Sequence, residues 1–566
     1  MNPSKEYELH LRLNAIRIKY HIDPLPILTM NKCLLIIVIF LIGLSVIVGI
    51  FRVAEKNTAL PAPLPKEIDL KPKGNVTVIV SVPWVNIVTG EYYGPAIKWS
   101  AITSNLQIYK DVGADIMVLW PIWEHIDRVT KITVKTLEGE IDLKLDPYWW
   151  VPKDYLKLDP DRGSEEEFLN MIETAHALGI RVVPILQVSY TVPGGFIYEE
   201  HPEWILKSIY GGYAVFWPWV KAPWGYVINK ADLGLIRFVT EIVIPHWVKV
   251  WGVDGVWLDS PSMKYCDPRV REICEKVGAV KGCECLTPVD GFYTTEPLAK
   301  ALRRKIDQLS METGRNLVCA GETAIASYQD WPDEGIAALA KLDQSRLFRV
   351  ANSPRVKGSL GKYWDWVCNY RFRFFLKNVY DGGEYSYSEN FVDSLKLEEH
   401  IFKDTEPARF VNMFNGFHRY KCLHDPMVAE CYITLAATAP GRILWIGGYQ
   451  LDTVPEKDVL RAWYKRLITI KKAYPALQSR NIENALVKPR APRLIAYNRW
   501  EGNGSVTVIV NAGDQHHTVI VRTRFSGDKI YLIDLLHGDR FHGDPKNLRV
   551  EMPPHTARVL VELKQS

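Results

Sequence analysis

WGVDGVWLDSPSMKY, residues 251 to 265, decides the fold. A mostly apolar run from Val253 to Leu258 delivers Asp259 to its end, and Ser260-Pro261 then break the pattern. A strand that ends in a carboxylate reads in two ways. The acid works at the carboxyl-terminal mouth of a parallel barrel, or it is an ordinary turn aspartate.

Outward from this strand, short apolar runs alternate with helical stretches. VTVIVSVPWVN (76–86) opens the series, and GADIMVLWPIW (113–123) is a second strand. EEEFLNMIETAHALG (165–179) is a helix with apolar residues three and four apart, ended by Gly179, and IRVVPILQV (180–188) is the third strand. The helical LIRFVTEIVIPHWVKVWG (235–252) leads into the fourth strand at Val253. PLAKALRRKIDQLSMETG (297–314) precedes the fifth strand, NLVCAGE (316–322), which ends in Glu322. ARFVNMFNG (408–416) and GRILWIGG (441–448) are strands flanking the helix MVAECYITLAATAP (427–440), and VLRAWYKRLITIKKAYPAL (459–477) is the closing helix. About eight such units over roughly 400 residues predict an α/β fold, a closed (β/α)8 TIM barrel spanning 76–481. The sixth unit, within 345–400, shows no clear strand. From 482 to 566 the texture changes to RLIAYNRW, SVTVIVNAG, HTVIVR, KIYLIDLL and TARVLVEL, short strands separated by Gly, Asp and Asn. That pattern predicts a separate C-terminal antiparallel β-sandwich domain.

Ahead of the barrel, CLLIIVIFLIGLSVIVGIF (33–51) is uncharged and long enough to cross a bilayer as a helix. Lys5, Arg12, Arg17, Lys19 and Lys32 precede it, while only Arg52 and Lys56 follow closely. The positive-inside rule then makes 1–32 a short cytoplasmic segment, 33–52 a transmembrane anchor and 53–75 a proline-rich linker to an extracytoplasmic main domain at the cell membrane. The competing reading is a cleaved signal peptide beginning at Met30. It is disfavoured by the length of the run and by the lack of an A-x-A-like site.

The 566 residues carry a net charge of only +4 and no basic run that would track phosphates, so nucleic-acid binding is not expected. The 19 Trp and 27 Tyr, many beside Gly and Pro in loops, suit the flat faces of sugars, though large cores also use them. No cofactor and no metal ligand set is expected. Of nine cysteines, Cys266, Cys274, Cys283 and Cys285 crowd one loop, where disulfides are preferred to zinc because a C-x-x-C knuckle is lacking. Cys422 and Cys431 are a possible further pair, and Cys319 reads as a buried thiol.

GADIMVLWPIWEH (113–125), YWWVPKDYLKLDPDRGSEEEFLNMIETAHALGIRVV (148–183), GVDGVWLDS (252–260), AGET (320–323), FVNMFNGFHR (410–419) and APGRILWIGGYQ (439–450) come in the order of one family's strand motifs. Together they resemble the α-amylase family of glycoside hydrolases, over about residues 76 to 560. The resemblance implies that Asp259 is the nucleophile and Glu322 the general acid/base of a retaining reaction. It implies Tyr148, Trp149, Trp150 and Trp257 as an aromatic floor for the sugar, with Asn415 and Arg419 as hydrogen-bonding partners. Departures accompany it. Trp257 stands where the family has an arginine, and Asn415 and Gly416 replace a His-Asp pair. Ile185, Ser189 and Tyr190 replace the third-strand Asp, Asn and His, and Asp146 takes the place of a histidine. Asp425, in the following loop, either reaches back into the site or serves a turn.

Two functions follow as expectations. One is a membrane-anchored, outward-facing hydrolase or transglycosylase with a carbohydrate substrate, α-linked glucan or a related sugar. The other is a non-catalytic ectodomain that binds sugar or a partner membrane protein, since the topology also resembles the heavy-chain subunits of amino-acid transporters.

Overall fold

Eight parallel strands close into a cylinder in sequential order: β1 (Thr77–Val82), β2 (Ile116–Leu119), β3 (Arg181–Leu186), β4 (Gly255–Leu258), β5 (Val318–Glu322), β6 (Val367–Cys368), β7 (Pro407–Phe410) and β8 (Ile443–Gly447). The expected parallel barrel is present. This computed structural model describes residues 68, 70–84, 96–126, 130–136, 139–145, 148–207, 212–216, 225–259, 291–322, 363–368, 370–401, 406–410, 426–448, 451 and 457–563. These residues belong to one compact unit, Leu60–Ser566. The sixth strand escaped the sequence pattern because only two residues, Val367 and Cys368, make its ladder.

Side chains on successive strand positions point to opposite faces. Val256 and Leu258 turn outward beneath the helices, whereas Trp257 turns into the cylinder. There it meets Trp445 (ring centroids 5.8 Å apart), which meets Trp366 at 5.5 Å. Three indoles thus occupy space that branched aliphatics commonly fill in such barrels.

A recurring device fastens the amino-terminal rim. Asp115, Asp254 and Asp365 each sit just before an even-numbered strand. Each donates its main-chain N–H to one residue of the preceding strand, and its carboxylate accepts that residue's own N–H. The pairs are Asp115 with Val78 (2.9 and 2.9 Å), Asp254 with Val182 (2.7 and 2.8 Å) and Asp365 with Cys319 (2.8 and 2.8 Å). Asp254 also accepts from His176 Nε2 at 2.7 Å and Arg315 Nη1 at 3.4 Å. Gly255 follows at φ 135°, where a Cβ would fall 2.0 Å from the Val318 carbonyl oxygen, so β4 can approach β5 here only through a glycine.

The stretch predicted as one helix over 235–252 is interrupted. Helix Leu233–Arg237 passes through a π-helical turn, Phe238–Val243, into helix Ile244–Lys249. Pro245 has no N–H to give to the carbonyl four residues back, and the Ile244 N–H reaches Val239, five back.

From Ile482 onward two antiparallel sheets share a core. One has six strands, containing Leu494–Glu501, Gly504–Asn511 and Thr556–Glu562 at its centre; the other has three. Leu494, Ala496, Ile509 and Leu560 face the smaller sheet, while Ile495, Tyr497, Val508 and Val559 join the hydrophobic core of the barrel. Burial on both faces explains the nearly continuous apolar texture of these strands.

No helix among the described residues is long and apolar enough to cross a membrane, and the 33–52 segment lies outside them. So do Cys266, Cys274, Cys283, Cys285 and Cys422. Cys431, named with Cys422 as a possible pair, is buried with its Sγ 3.6 Å from the Asn511 carbonyl oxygen, and its suggested partner lies outside the described residues. Cys319 is the buried thiol expected.

Candidate active site

Asp259 stands immediately beyond β4 and Glu322 is the last residue of β5, on adjacent strands whose register sets Leu258 opposite Gly321. Both acids therefore reach the carboxyl-terminal mouth of the cylinder, the end where barrel enzymes build their sites. Asp259 is 6% exposed and Glu322 half-buried. Cys368 lies opposite Glu322 in the β5–β6 register. Its thiol is pushed well above its ordinary value by burial first, then by the Glu322 carboxylate and by Asp259, against a lowering contact from the Trp257 indole. One sulfur feels both acids.

The end of β4 is held in place from the β3 side. The Asp259 N–H donates to the Leu186 carbonyl at 2.9 Å, and the Asp259 carbonyl accepts from Ser189 Oγ at 3.2 Å. Ser189 Oγ in turn accepts from Lys230 Nζ at 3.1 Å, and Lys230 is 1% exposed. Gln187, fully buried, organises the turn. Its Oε1 accepts from the Ser189 N–H (2.7 Å), and its Nε2 donates to the carbonyls of Tyr190 (3.0 Å) and Trp150 (3.2 Å). Ser189 thus has a definite task in the position that the family resemblance assigned to an asparagine. Lys230 was missed because a lysine between a strand and a helix start looks like any solvated loop cation.

The expected aromatic floor is only partly as read. Trp150 is half-buried and its ring lies 5.3 Å from that of Trp120, whose indole N–H donates to Ser81 Oγ (2.9 Å) at the mouth of β1. Trp120, two residues beyond β2's last inward position, was not singled out in the sequence. Trp257 is 3% exposed and packs on Trp445 inside the cylinder. Tyr148 and Trp149 belong to strand Tyr148–Leu158, but their side chains lie outside what is described, as do Asn415, Arg419, Asp425 and Asp146.

His125, Asp159 and Asp161 form a group whose ligand atoms all come within 4.8 Å of one another. Protein donors already occupy Asp159: the Trp84 indole N–H on Oδ2 and the Asp161 N–H on Oδ1, with the buried Arg162 close by. Arg162 stacks on Trp99 and donates to the carbonyls of Ile97 and Pro121, so this cluster braces the rim near β2. A separate cleft of ≈ 450 Å³, lined by Arg303, Asp307, Asn316 and Asp365 among others, opens at the opposite rim, away from both acids.

Solved structures similar to this chain in fold include α-amylases. A noncanonic maltogenic α-amylase, AmyB, from Thermotoga neapolitana superposes at TM-score 0.56 with 14% identity, covering 86% of this chain and 99% of that one. An α-amylase from Lactobacillus plantarum gives 0.55 with 17% identity over 86% and 99% of the two chains. The Anoxybacillus α-amylase gives 0.57 with 12% identity over 87% and 98%. No protein-family model matches the sequence, and no curated protein matches it. At such identities the likeness is one of fold: this is an α-amylase-type barrel with C-terminal antiparallel sheets.

Proposed function

We propose that the chain is a glycoside hydrolase or transglycosylase of α-amylase type, acting on α-linked glucans or related carbohydrate by a retaining mechanism. The observation that carries this reading is the placement of Asp259 and Glu322 at the ends of adjacent parallel strands at one mouth. Neighbouring strand ends suit the separation of about 5 Å between carboxyls that retention requires. Asp259 attacks the anomeric carbon while Glu322 gives its proton to the departing glycosidic oxygen. Glu322, now a carboxylate, then takes a proton from the water or sugar hydroxyl that displaces Asp259 and frees the product. Trp150 and Trp120 offer aromatic surface to the sugar, joined in this reading by Tyr148, Trp149, Asn415 and Arg419. The apolar run Cys33–Phe51, with its preceding basic residues, supports single-pass anchoring with the barrel outside the cytoplasm.

The test is hydrolysis of a panel of α-glucans and activated α-glycosides by the wild type beside Asp259→Asn and Glu322→Gln. Each substitution is expected to lower turnover by at least about 10²- to 10³-fold, and proton NMR of the first-formed anomer should show retention. Equal hydrolysis by all three proteins ends this reading.

A second reading, a non-catalytic ectodomain that binds sugar or a partner membrane protein, draws on the low exposure of Asp259. It expects no turnover, together with stoichiometric crosslinking to one defined membrane protein.

A further inference from the structure

We propose that His125, Asp159 and Asp161 form a zinc site at the carboxyl-terminal rim of the barrel, beside the ends of β1 and β2. The site is independent of whatever reaction the barrel performs.

Its ligands come from two sides of the excursion beyond β2. His125 belongs to the strand Trp123–Ile126, which pairs with Tyr148–Leu158. Asp159 follows that second strand, and Asp161 lies in the single turn Pro160–Arg162. One ligand atom from each residue falls within 4.8 Å of the other two. Two acids close together do not make a metal site, and the second observation is the imidazole between them. The His125 side chain is 10% exposed, and its Nδ1 is buried without a hydrogen-bond partner although Asp159 Oδ1 stands 3.3 Å away. On the other side, Nε2 is 3.8 Å from Asp161 Oδ2, too far for a hydrogen bond. A cation among the three groups would complete this arrangement.

Geometry supports it. Zinc bonds of about 2.0 to 2.2 Å set neighbouring ligand atoms about 3.3 Å apart in a tetrahedron. His125 Nδ1 and Asp159 Oδ1 already have that separation. The Asp161 side chain, 62% exposed, can turn in to close the remaining gap, and water would take the fourth position. Asp159 is fully buried and oriented by two donors, the Trp84 indole N–H on Oδ2 and the Asp161 N–H on Oδ1. A carboxylate offers about four lone-pair sites, so Oδ1 keeps one for a metal, and the two N–H groups act as the outer partners that fix a metal ligand.

Charge and chemistry agree with a dication. The two carboxylates are offset by one buried guanidinium, that of Arg162, which burial pushes down to about 9 with Asp159 acting against the fall. One net negative charge remains. Lys98, bound to the Asp161 main-chain carbonyl, is exposed and screened by solvent. An imidazole among carboxylates selects zinc over calcium and magnesium, which take oxygen ligands. The ion would tie the excursion that carries Trp150 to the end of β1 through Trp84.

The experiment measures zinc binding to the full chain, stripped with a chelator, by titration calorimetry and by metal content after dialysis, in wild type, Asp161→Ala and His125→Gln. Wild type should hold one equivalent more than either variant. Loss of a ligand should weaken that equivalent at least about 10- to 100-fold, the cost of disturbing even an outer partner. Zinc should raise the melting temperature of wild type more than that of Asp161→Ala, a change confined to an exposed side chain. Cysteine thiolates are a second destination for zinc, and cobalt substitution separates them: the equivalent lost in Asp161→Ala should show no thiolate charge-transfer band. Equal zinc content and affinity in all three proteins overturns the proposal. So does a wild type that takes up no zinc, which leaves His125 as a plain brace between two aspartates. Calcium displacing the ion at equal concentration overturns its assignment as zinc.

Discussion

Cys319 and Cys368 carry acid–base information of their own. Burial pushes both thiols up, with Asp365 adding to the effect at Cys319 and Glu322 and Asp259 adding to it at Cys368. In the unfolded chain a cysteine ionises near pH 8.5, so above about that pH the folded state holds protons that the unfolded state has lost. Their stabilising contribution is complete below that pH and is lost as pH rises. Melting temperature should therefore decline on the alkaline side, and the decline should be shallower in a Cys319→Ala, Cys368→Ala double variant. Calorimetry between about pH 7 and 10 reads this, and equal slopes would contradict it. Among candidate site residues, Asp259 and Glu322 could be found in the sequence because each terminates an apolar run whose neighbours mark a barrel strand. Lys230 could not, because its bond to Ser189 joins residues 41 positions apart across the β3–β4 excursion. Trp257, one position before Leu258, is turned into the cylinder by alternation along β4.

At the scale of single elements, β4 lies between two acids with opposite tasks. Asp259 is delivered to the mouth, and Asp254 ties the other end to β3, His176 and Arg315. Asp254→Ala would strand the Val182 N–H and leave Arg315 without its carboxylate, an expected loss of about 3 kcal/mol in urea unfolding, with little change in how the mouth is built. Gly255→Ala should cost at least about as much, because the new methyl meets the Val318 carbonyl and the backbone stays at positive φ. Most strands were readable from apolar runs ended by turn residues. The sixth was not, because its ladder is only Val367 and Cys368, too short to show an apolar run. A usable signal was present: an aspartate before an apolar pair, repeated at Asp115, Asp254 and Asp365, marks an even-numbered strand. The helix break at Pro245 was equally visible as a proline inside a helical period.

The whole molecule is joined at a seam of buried basic side chains. Arg499, on the strand Leu494–Glu501, donates to the carbonyls of Ser479 (2.6 Å), Asn481 (2.8 Å) and Thr438. Burial pushes its guanidinium down to about 10. Thr438 ends the helix Pro426–Thr438 of the barrel, and Lys471 Nζ donates to Ala437 and Ala439 at the same terminus (2.8 and 3.0 Å). Two basic side chains thus meet carbonyls left without helical partners, burial pushing the Lys471 ammonium well below its ordinary value. The Tyr497 hydroxyl and Thr438 Oγ1 share a hydrogen bond of 2.6 Å beside them. Sequence texture separates the two regions at residue 482, yet the contacts unite barrel and sheets within Leu60–Ser566. Arg499→Leu should lower stability by about 3 to 5 kcal/mol, removing a donor from each of three carbonyls, that of Thr438 being buried. Barrel and sheets should still unfold in one calorimetric transition; two separated transitions in the wild type would contradict a shared core.

Because the aspartate fastenings sit at the foot of the cylinder, part of what keeps it folded lies away from its crown. Reactive groups there can be exchanged, lost or regained while the staves keep their places. A barrel rooted in this way gives new chemistry somewhere to begin.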